Sequence, residues 1–480
     1  MTRAPEPRRL SMLAASEVAA DFASGELSPV EVTDAALAAI EAFDPEVGAM
    51  VLVDAEGARA EAHASHLRWR RGDQRSAVDG VPVTIKDMFL TRGWPMLRGS
   101  TLTDAAGPWQ ADAPAVARLR ESGAVVLGKN ATPEFAWKGV TDSILHGSTG
   151  NPWGAGLTSG GSSGGAATAV GLGMGSWSIG SDGGGSVRIP AAFTGTVALK
   201  PTYGLVPTYP PSPYGTLSHA GPMTRSVTDA ALLMDVLTGF DSRDWFATRR
   251  PSGSFLEGLG HLDDGLVGLR VAYSPTLSGT GHNDPQVQAA FDEAVEVLAG
   301  LGATVAQVDP APEVLAVVRE AFHVLWFTGA AKVLEPFGHD ALERIDPLLA
   351  EHVRQHRDDS ASTYLDAVQV RMDLGVAMGA LHDDWDVLVT PTMPIPAFER
   401  GQDAPTGWPE QLWTSWTPYT YPFNLTGQPA LSVPCGLTDD ERPIGLQIVG
   451  PRHADALALR VGRAFEAATD SQRVLPLLLR

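Results

Sequence analysis

Two glycine-and-serine clusters, Gly160-Gly161-Ser162-Ser163-Gly164-Gly165 and Asp182-Gly183-Gly184-Gly185-Ser186, carry the densest chemistry in this 480-residue chain. Glycine lets a backbone approach a ligand closely and adopt torsions that a Cβ forbids, so two such clusters can aim N–H groups at one bound group. Each also delivers serine, and a nucleophilic hydroxyl beside an oxyanion hole is the reading that uses both features. A Gly/Ser linker has the same composition. Apolar residues 166–172 and 177–179 nevertheless join and flank the clusters, which predicts a buried helix and strand between them. A phosphate loop is excluded, because no lysine follows the glycines and G-x-x-x-x-G-K-[ST] is absent.

Lys86 is a further reactive group. In DGVPVTIKDMF, residues 79–89, the alternation puts Val81, Val83 and Ile85 on one strand face and Thr84 and Lys86 on the other. That is a way to aim an amine into a site, although a lysine at a strand end is most often a solvated charge.

The elements that must hold these groups read as strands alternating with helices. Ser28-Pro29-Val30-Glu31 is a capping box opening a helix, and Asp284-Pro285 starts another. Helices are expected at residues 16–22, 115–122, 226–237, across most of 310–382, and at 455–468. Strands are expected at 124–127, 266–273, 303–308, 386–390, 430–433 and 445–449. This alternation indicates a layered α/β architecture.

Composition narrows the function. Hydrophobic content of 44% and charged content of 19% belong to a folded chain. A formal charge of −21 argues against nucleic acid or an anionic membrane as partner. The single Cys435 excludes an intramolecular disulfide and any cysteine metal cluster. No apolar core of signal length follows Arg3, Arg8 and Arg9, and no uninterrupted apolar run approaches a membrane span, so a cytoplasmic protein is expected.

Taken together, DGVPVTIKD, GKNATPEFA, NPW, GGSSGG, DGGGSVRIPAAFTG, LKPTYG, YPFNLTGQPALSVPCG and GLQIVGPR resemble the amidase signature family of serine hydrolases. Ser162 and Ser186 are 24 residues apart, as in the family pattern. The resemblance implies a single large α/β/α layered domain over residues 1–480 with a central twisted mixed sheet, its signature core at about 79–239, a variable pocket wall at about 240–385 and a C-terminal block at about 386–466. It implies Ser186 as nucleophile, Ser162 as a bridging serine in a cis peptide, and Lys86 as the base, with Ser163 unreactive. It also implies an oxyanion hole from the amides of Gly183, Gly184, Gly185 and Ser186, supported by Asp182 and Arg188. Lysine accepts a proton only when neutral, and its ordinary pKa is about 10.4, so Lys86 has to be buried.

The implied reaction is hydrolysis of small aryl or apolar amides through an acyl-enzyme, extending to esters and carbamates. No cofactor or metal is expected, and the chain would act as a monomer or homodimer. Trp137 occupies a position resembling a pocket wall, and Tyr209, Tyr214, Trp326, Phe322, Trp413 and Trp416 are further pocket candidates. Ser181 and Gly183 stand where the family usually has threonine; the third glycine leaves room for a looser turn or a roomier pocket. GWPMLRGS replaces a threonine-rich turn, which bears on the substrate.

Two alternatives remain at this stage. Residues 161–165 also satisfy G-x-S-x-G, which would make Ser163 the nucleophile of a Ser-His-Asp hydrolase using His382 or His453. The signature is shared with the glutaminase-type subunit of tRNA-dependent amidotransferases, although Ile189 follows Arg188 where such subunits commonly carry glutamine. His352 and His356 have i, i+4 spacing but lie among Glu351, Arg354, Arg357 and Asp358, as on a solvated helix face. Cys435 reads as a core residue.

Overall fold

Ser28 caps the helix Pro29–Val47, accepting from the Glu31 amide while the Glu31 carboxylate takes the Ser28 amide. The computed structural model describes residues 10–261, 264–469 and 474–480; Arg3, Arg8 and Arg9 lie outside them. Helices Ala15–Ser24, Pro114–Ser122, Val227–Leu237, Pro285–Gly300 and Asp455–Ala468 fall where apolar periodicity and caps predict them.

Eleven strands make one large mixed sheet. In chain order they are β1 Met50–Val53, β2 Pro82–Lys86, β3 Val125–Asn130, β4 Trp177–Asp182, β5 Val197–Lys200, β6 His219–Thr224, β7 Arg270–Tyr273, β8 Thr304–Gln307, β9 Val387–Pro391, β10 Ala430–Leu437 and β11 Pro443–Val449. Their spatial order is β1-β3-β2-β4-β6-β5-β10-β11-β9-β7-β8. β2 lies between β3 and β4 and runs parallel to both, whereas β6 is antiparallel to β4 and β5.

Alternation along the strands separates two cores. Val83 and Ile85 of β2, Trp177 and Ile179 of β4, and Val387 and Val389 of β9 pack into one. Leu388 of β9 and Ala430 of β10 belong to the other, with the aromatic residues of the 310–382 helices. Lys86, next to Ile85, therefore leaves β2 on the face opposite the first core.

One long helix is apolar overall yet carries Arg319, Glu320 and Lys332, so it is not an uninterrupted apolar run. The helical segment Pro312–Phe337 is long and apolar enough to cross a membrane, with mean hydropathy 1.3. Half of its apolar 18-residue stretch is buried here, and Phe322, Trp326 and Phe327 fill the second core, so its apolar side chains serve the interior of the fold.

Candidate active site

The three parallel strands bring the two serine clusters to the end of β2. Lys86 is fully buried, and its Nζ lies 2.6 Å from Ser162 Oγ, 2.9 Å from Ser163 Oγ and 3.0 Å from Ser181 Oγ. Among the described residues no carboxylate forms a salt bridge with it. Burial drives its pKa well below the lysine range, and the Asp182 charge opposes this in part. Gly161–Ser162 is a cis peptide. The Ser163 amide donates to the Ser186 carbonyl at 3.0 Å, which ties the clusters together, and Ser163 Oγ donates to the Ser181 carbonyl at 3.1 Å. Composition alone left Ser181 without a role; its position at the inner end of β4 makes it a partner of the lysine.

The glycine turn is braced by Asp182. Its Oδ1 accepts from the Gly185 amide at 2.8 Å and its Oδ2 from the Val187 amide at 3.2 Å. Arg188 grips both oxygens at 2.9 and 3.0 Å, with both side chains fully buried. These contacts, with the Arg188 charge largest among them, outweigh burial and hold the Asp182 carboxyl far below its usual range. Gly185 is thereby corrected as an oxyanion donor, because its N–H is already committed to Asp182. The amides of Gly183, Gly184 and Ser186 make no hydrogen bond among the described residues. Asn424, Gln447 and Thr420 complete the brace through Asp182, Arg188 and the Gly184 carbonyl. Sequence reasoning gave these three no role. Their signal was a polar side chain inside an apolar block, as in NLTG and GLQIV.

Ser162, Ser181, Gly183 and Ser186 open onto a cavity whose walls include Phe89, Phe135, Tyr209, Tyr214 and Trp326. Three pocket candidates thus line it. Trp137 does not: it is fully buried beside Phe327, and its carbonyl accepts from Trp326 Nε1 at 3.1 Å, so the preceding Phe135 and Ala136 are the lining residues. Phe135 and Ala136 have φ of 51° and 59°, which turns the loop and sends Trp137 inward. Phe322, Trp413 and Trp416 are also core residues.

Trp326 stacks on Tyr214 with ring centroids 4.1 Å apart. A Cβ on Gly183 would meet the Trp326 ring at 2.6 Å, and one on Gly184 would meet Trp413 at 2.5 Å. The extra glycine accordingly admits an aromatic wall tight against the turn, rather than loosening it.

The residues of the Ser-His-Asp reading do not assemble. Ser163 is fully buried and off the cavity, and neither His382 nor His453 lines it. His382 instead contacts Gln428 and the Trp385 carbonyl. His352 and His356 stack on Phe327, and among the described residues no group of three metal-ligating side chains occurs. Cys435 Sγ sits in β10 against the Ile444 carbonyl, its pKa pushed up to about 12 by burial.

A family model described as Amidase matches residues 31–459. An acylamidase of Rhodococcus erythropolis is 36% identical over 474 residues, covering 96% of each chain. A glutamyl-tRNA(Gln) amidotransferase subunit of Streptomyces coelicolor is 36% identical over 482 residues, with 95% of this chain and 96% of that one covered. Among solved structures, a bacterial aryl acylamidase of the amidase signature enzymes superposes with a TM-score of 0.88 at 29% identity, over 96% of this chain and 97% of that one. A 6-aminohexanoate cyclic dimer hydrolase gives a TM-score of 0.88 at 29% identity, over 98% and 99%.

Proposed function

This chain belongs to the amidase signature family, and we propose that it hydrolyses small amides with an aryl or apolar part through an acyl-enzyme on Ser186. The observation that carries this reading is the buried Lys86 amine, surrounded by three serine hydroxyls, with Ser162 and Ser186 both on the aromatic cavity.

The hydrogen-bond inventory supports a direction for the proton. A neutral lysine has two N–H donors and one lone pair. Ser163 has committed its own hydrogen to the Ser181 carbonyl, so towards Lys86 it acts as acceptor. With Ser181 Oγ taking the second N–H, the lone pair faces Ser162, 2.6 Å away. Ser162 gives its proton to Lys86 as it takes the proton of Ser186, whose oxygen attacks the carbonyl carbon. The tetrahedral oxyanion is met by the free amides of Gly183, Gly184 and Ser186, each such donor contributing about two to three powers of ten in rate. Return of the proton to the departing amine breaks the C–N bond, and water then releases the acid by the same route. Esters and carbamates present the same acyl carbon and fall within the proposal.

The test is chromophore release from a matched aryl amide and aryl carbamate by wild type, Lys86→Ala and Ser186→Ala. Turnover by wild type alone supports the reading, and turnover that survives Ser186→Ala sinks it. A second reading, a glutaminase-type amidotransferase subunit, is favoured by the 36% identity to such a protein. Glutamine hydrolysis that appears only with partner subunits, with no aryl amide turnover by the isolated chain, would select it.

A further inference from the structure

The cavity holds one charged side chain that the proposed chemistry leaves unused. Arg98 lines it, and no carboxylate lines it among the described residues. The other cavity residue able to carry positive charge, His219, has its pKa pushed well below the histidine range, chiefly by burial, with the Lys200 amine 3.4 Å away acting in the same direction. Among the described residues the Arg98 side chain has no hydrogen bond or ion pair, and its Nε is buried without a partner. That is unlike the arginines deeper in the fold. Arg188 is fully engaged, Arg225 donates to three carbonyl groups, and Arg371 to Thr216 and the Leu425 carbonyl. Arg98 is half-buried, and a guanidinium nitrogen buried without a partner is costly, so the fold holds at the cavity wall a cation it does not itself use.

The backbone holds that cation in place. Asp87, the residue after Lys86, accepts from the amides of Leu97 and Arg98 at 3.0 Å each, and is itself paired with Lys129 at 2.6 Å. The Arg98 carbonyl accepts from the Phe135 amide at 2.7 Å, and the guanidinium lies 5.3 Å from the Phe135 ring centroid. Arg98, Phe135 and Ala136 all have positive φ, between 51° and 59°. Left-handed torsions in non-glycine residues persist where the surroundings enforce them, and they gather at ligand clamps. The turn GWPMLRGS therefore delivers a pre-positioned guanidinium beside an aromatic wall.

We propose that Arg98 is a specificity residue that binds a carboxylate of the substrate, so that the preferred amides carry an acidic group joined to the scissile bond through an apolar or aryl segment. This rests on the hydrolase reading above and narrows its substrate class. A charge-assisted, two-pronged contact of this kind discriminates by about tenfold to a hundredfold.

Two matched pairs test it, one for each side of the scissile bond: glutaryl- against hexanoyl-4-nitroanilide, and N-acetyl-4-aminobenzoate against N-acetyl-4-toluidine. Wild type should favour the acid in at least one pair by about tenfold or more in kcat/KM. Arg98→Met should bring that ratio close to one, and Arg98→Lys should restore part of it. A ratio controls for general damage to the loop. No acid preference in either pair, or a preference that survives Arg98→Met, overturns the proposal. Calorimetric binding of the four compounds to Ser186→Ala separates the two readings. Tighter binding of an acid that is lost in Ser186→Ala/Arg98→Met, with no turnover by wild type, sinks the hydrolase reading and sustains this one. Equal or absent binding of acid and neutral members overturns it.

Discussion

Lys86 and Lys138 are two lysines of equal length and nearly equal burial, 0% and 4% exposed, yet the fold makes opposite things of them. Lys138 sits among the carboxylates of Asp142, Asp346 and Asp403 at 2.6, 2.8 and 2.7 Å. Burial pulls its pKa down, but the three negative charges outweigh this and hold it above the ordinary lysine value. Lys86 has three hydroxyls at similar distances and falls well below that value. Lys129, buried against the single carboxylate of Asp87, is also lowered, with burial again the larger cause. Burial alone therefore does not make a base. What decides is how much negative charge surrounds the amine: one carboxylate leaves burial the larger cause at Lys129, three overturn it at Lys138, and at Lys86, among the described residues, no carboxylate pairs with the amine.

The largest break in this comparison is kinetic. Lys86→Ala should lower amide turnover by about 10^3-fold or more, because among the described residues no other group in the cavity is placed to take the Ser162 proton. Lys138→Met should leave the chemistry in place and instead cost about 3 kcal/mol of stability, since three carboxylates lose their common cation. Urea unfolding monitored by circular dichroism reads that loss, and an unchanged midpoint would mean that the carboxylates are independently solvated.

A smaller effect is expected at the glycine turn. Gly183→Ala puts a methyl group into the Trp326 ring and should cost about tenfold in kcat/KM through displacement of the oxyanion amides. Combining it with Trp326→Ala should recover part of that loss, as measured by a double-mutant cycle. Additive losses would show that the clash is not what matters.

The smallest effect is on the pH dependence of stability. Lys86 in the fold gives up its proton well below the value of the unfolded chain, 10.5. Between those two values the unfolded chain binds more protons, so stability rises with pH there. Lys138 has the opposite sign: its folded value is raised, so its contribution is complete below the unfolded value and is lost as pH rises through the folded one. Melting temperatures across alkaline pH should therefore climb less steeply for Lys86→Met than for wild type and more steeply for Lys138→Met.

Much of the frame was legible from local pattern. Capping boxes, proline at the first helical position and period-2 alternation locate helices such as Pro285–Gly300 and strands such as β2, because each depends on near neighbours. The strand β6 was not legible. Its sequence HAGPMT contains Gly221-Pro222, which locally signals a turn, and only its place between β4 and β5 makes it a strand. The helix Arg188–Thr194 was missed for a similar reason: Pro190 and Thr194 hide a short, wholly buried turn of helix.

By itself the sequence determined which groups could react, because glycine, serine and lysine have fixed chemistry and the spacing of their motifs is written along the chain. It also determined that Lys86 and Ile85 leave β2 on opposite faces, since that alternation is a property of any strand. Tertiary structure alone decided what those groups meet: three hydroxyls around Lys86, three carboxylates around Lys138, Asn424 on Asp182 and Gln447 on Arg188, and Trp326 where a side chain on Gly183 would lie. Those partners come from segments up to hundreds of residues away, and the pKa values and free amides depend on charge and burial at short range in space. No local pattern encodes that.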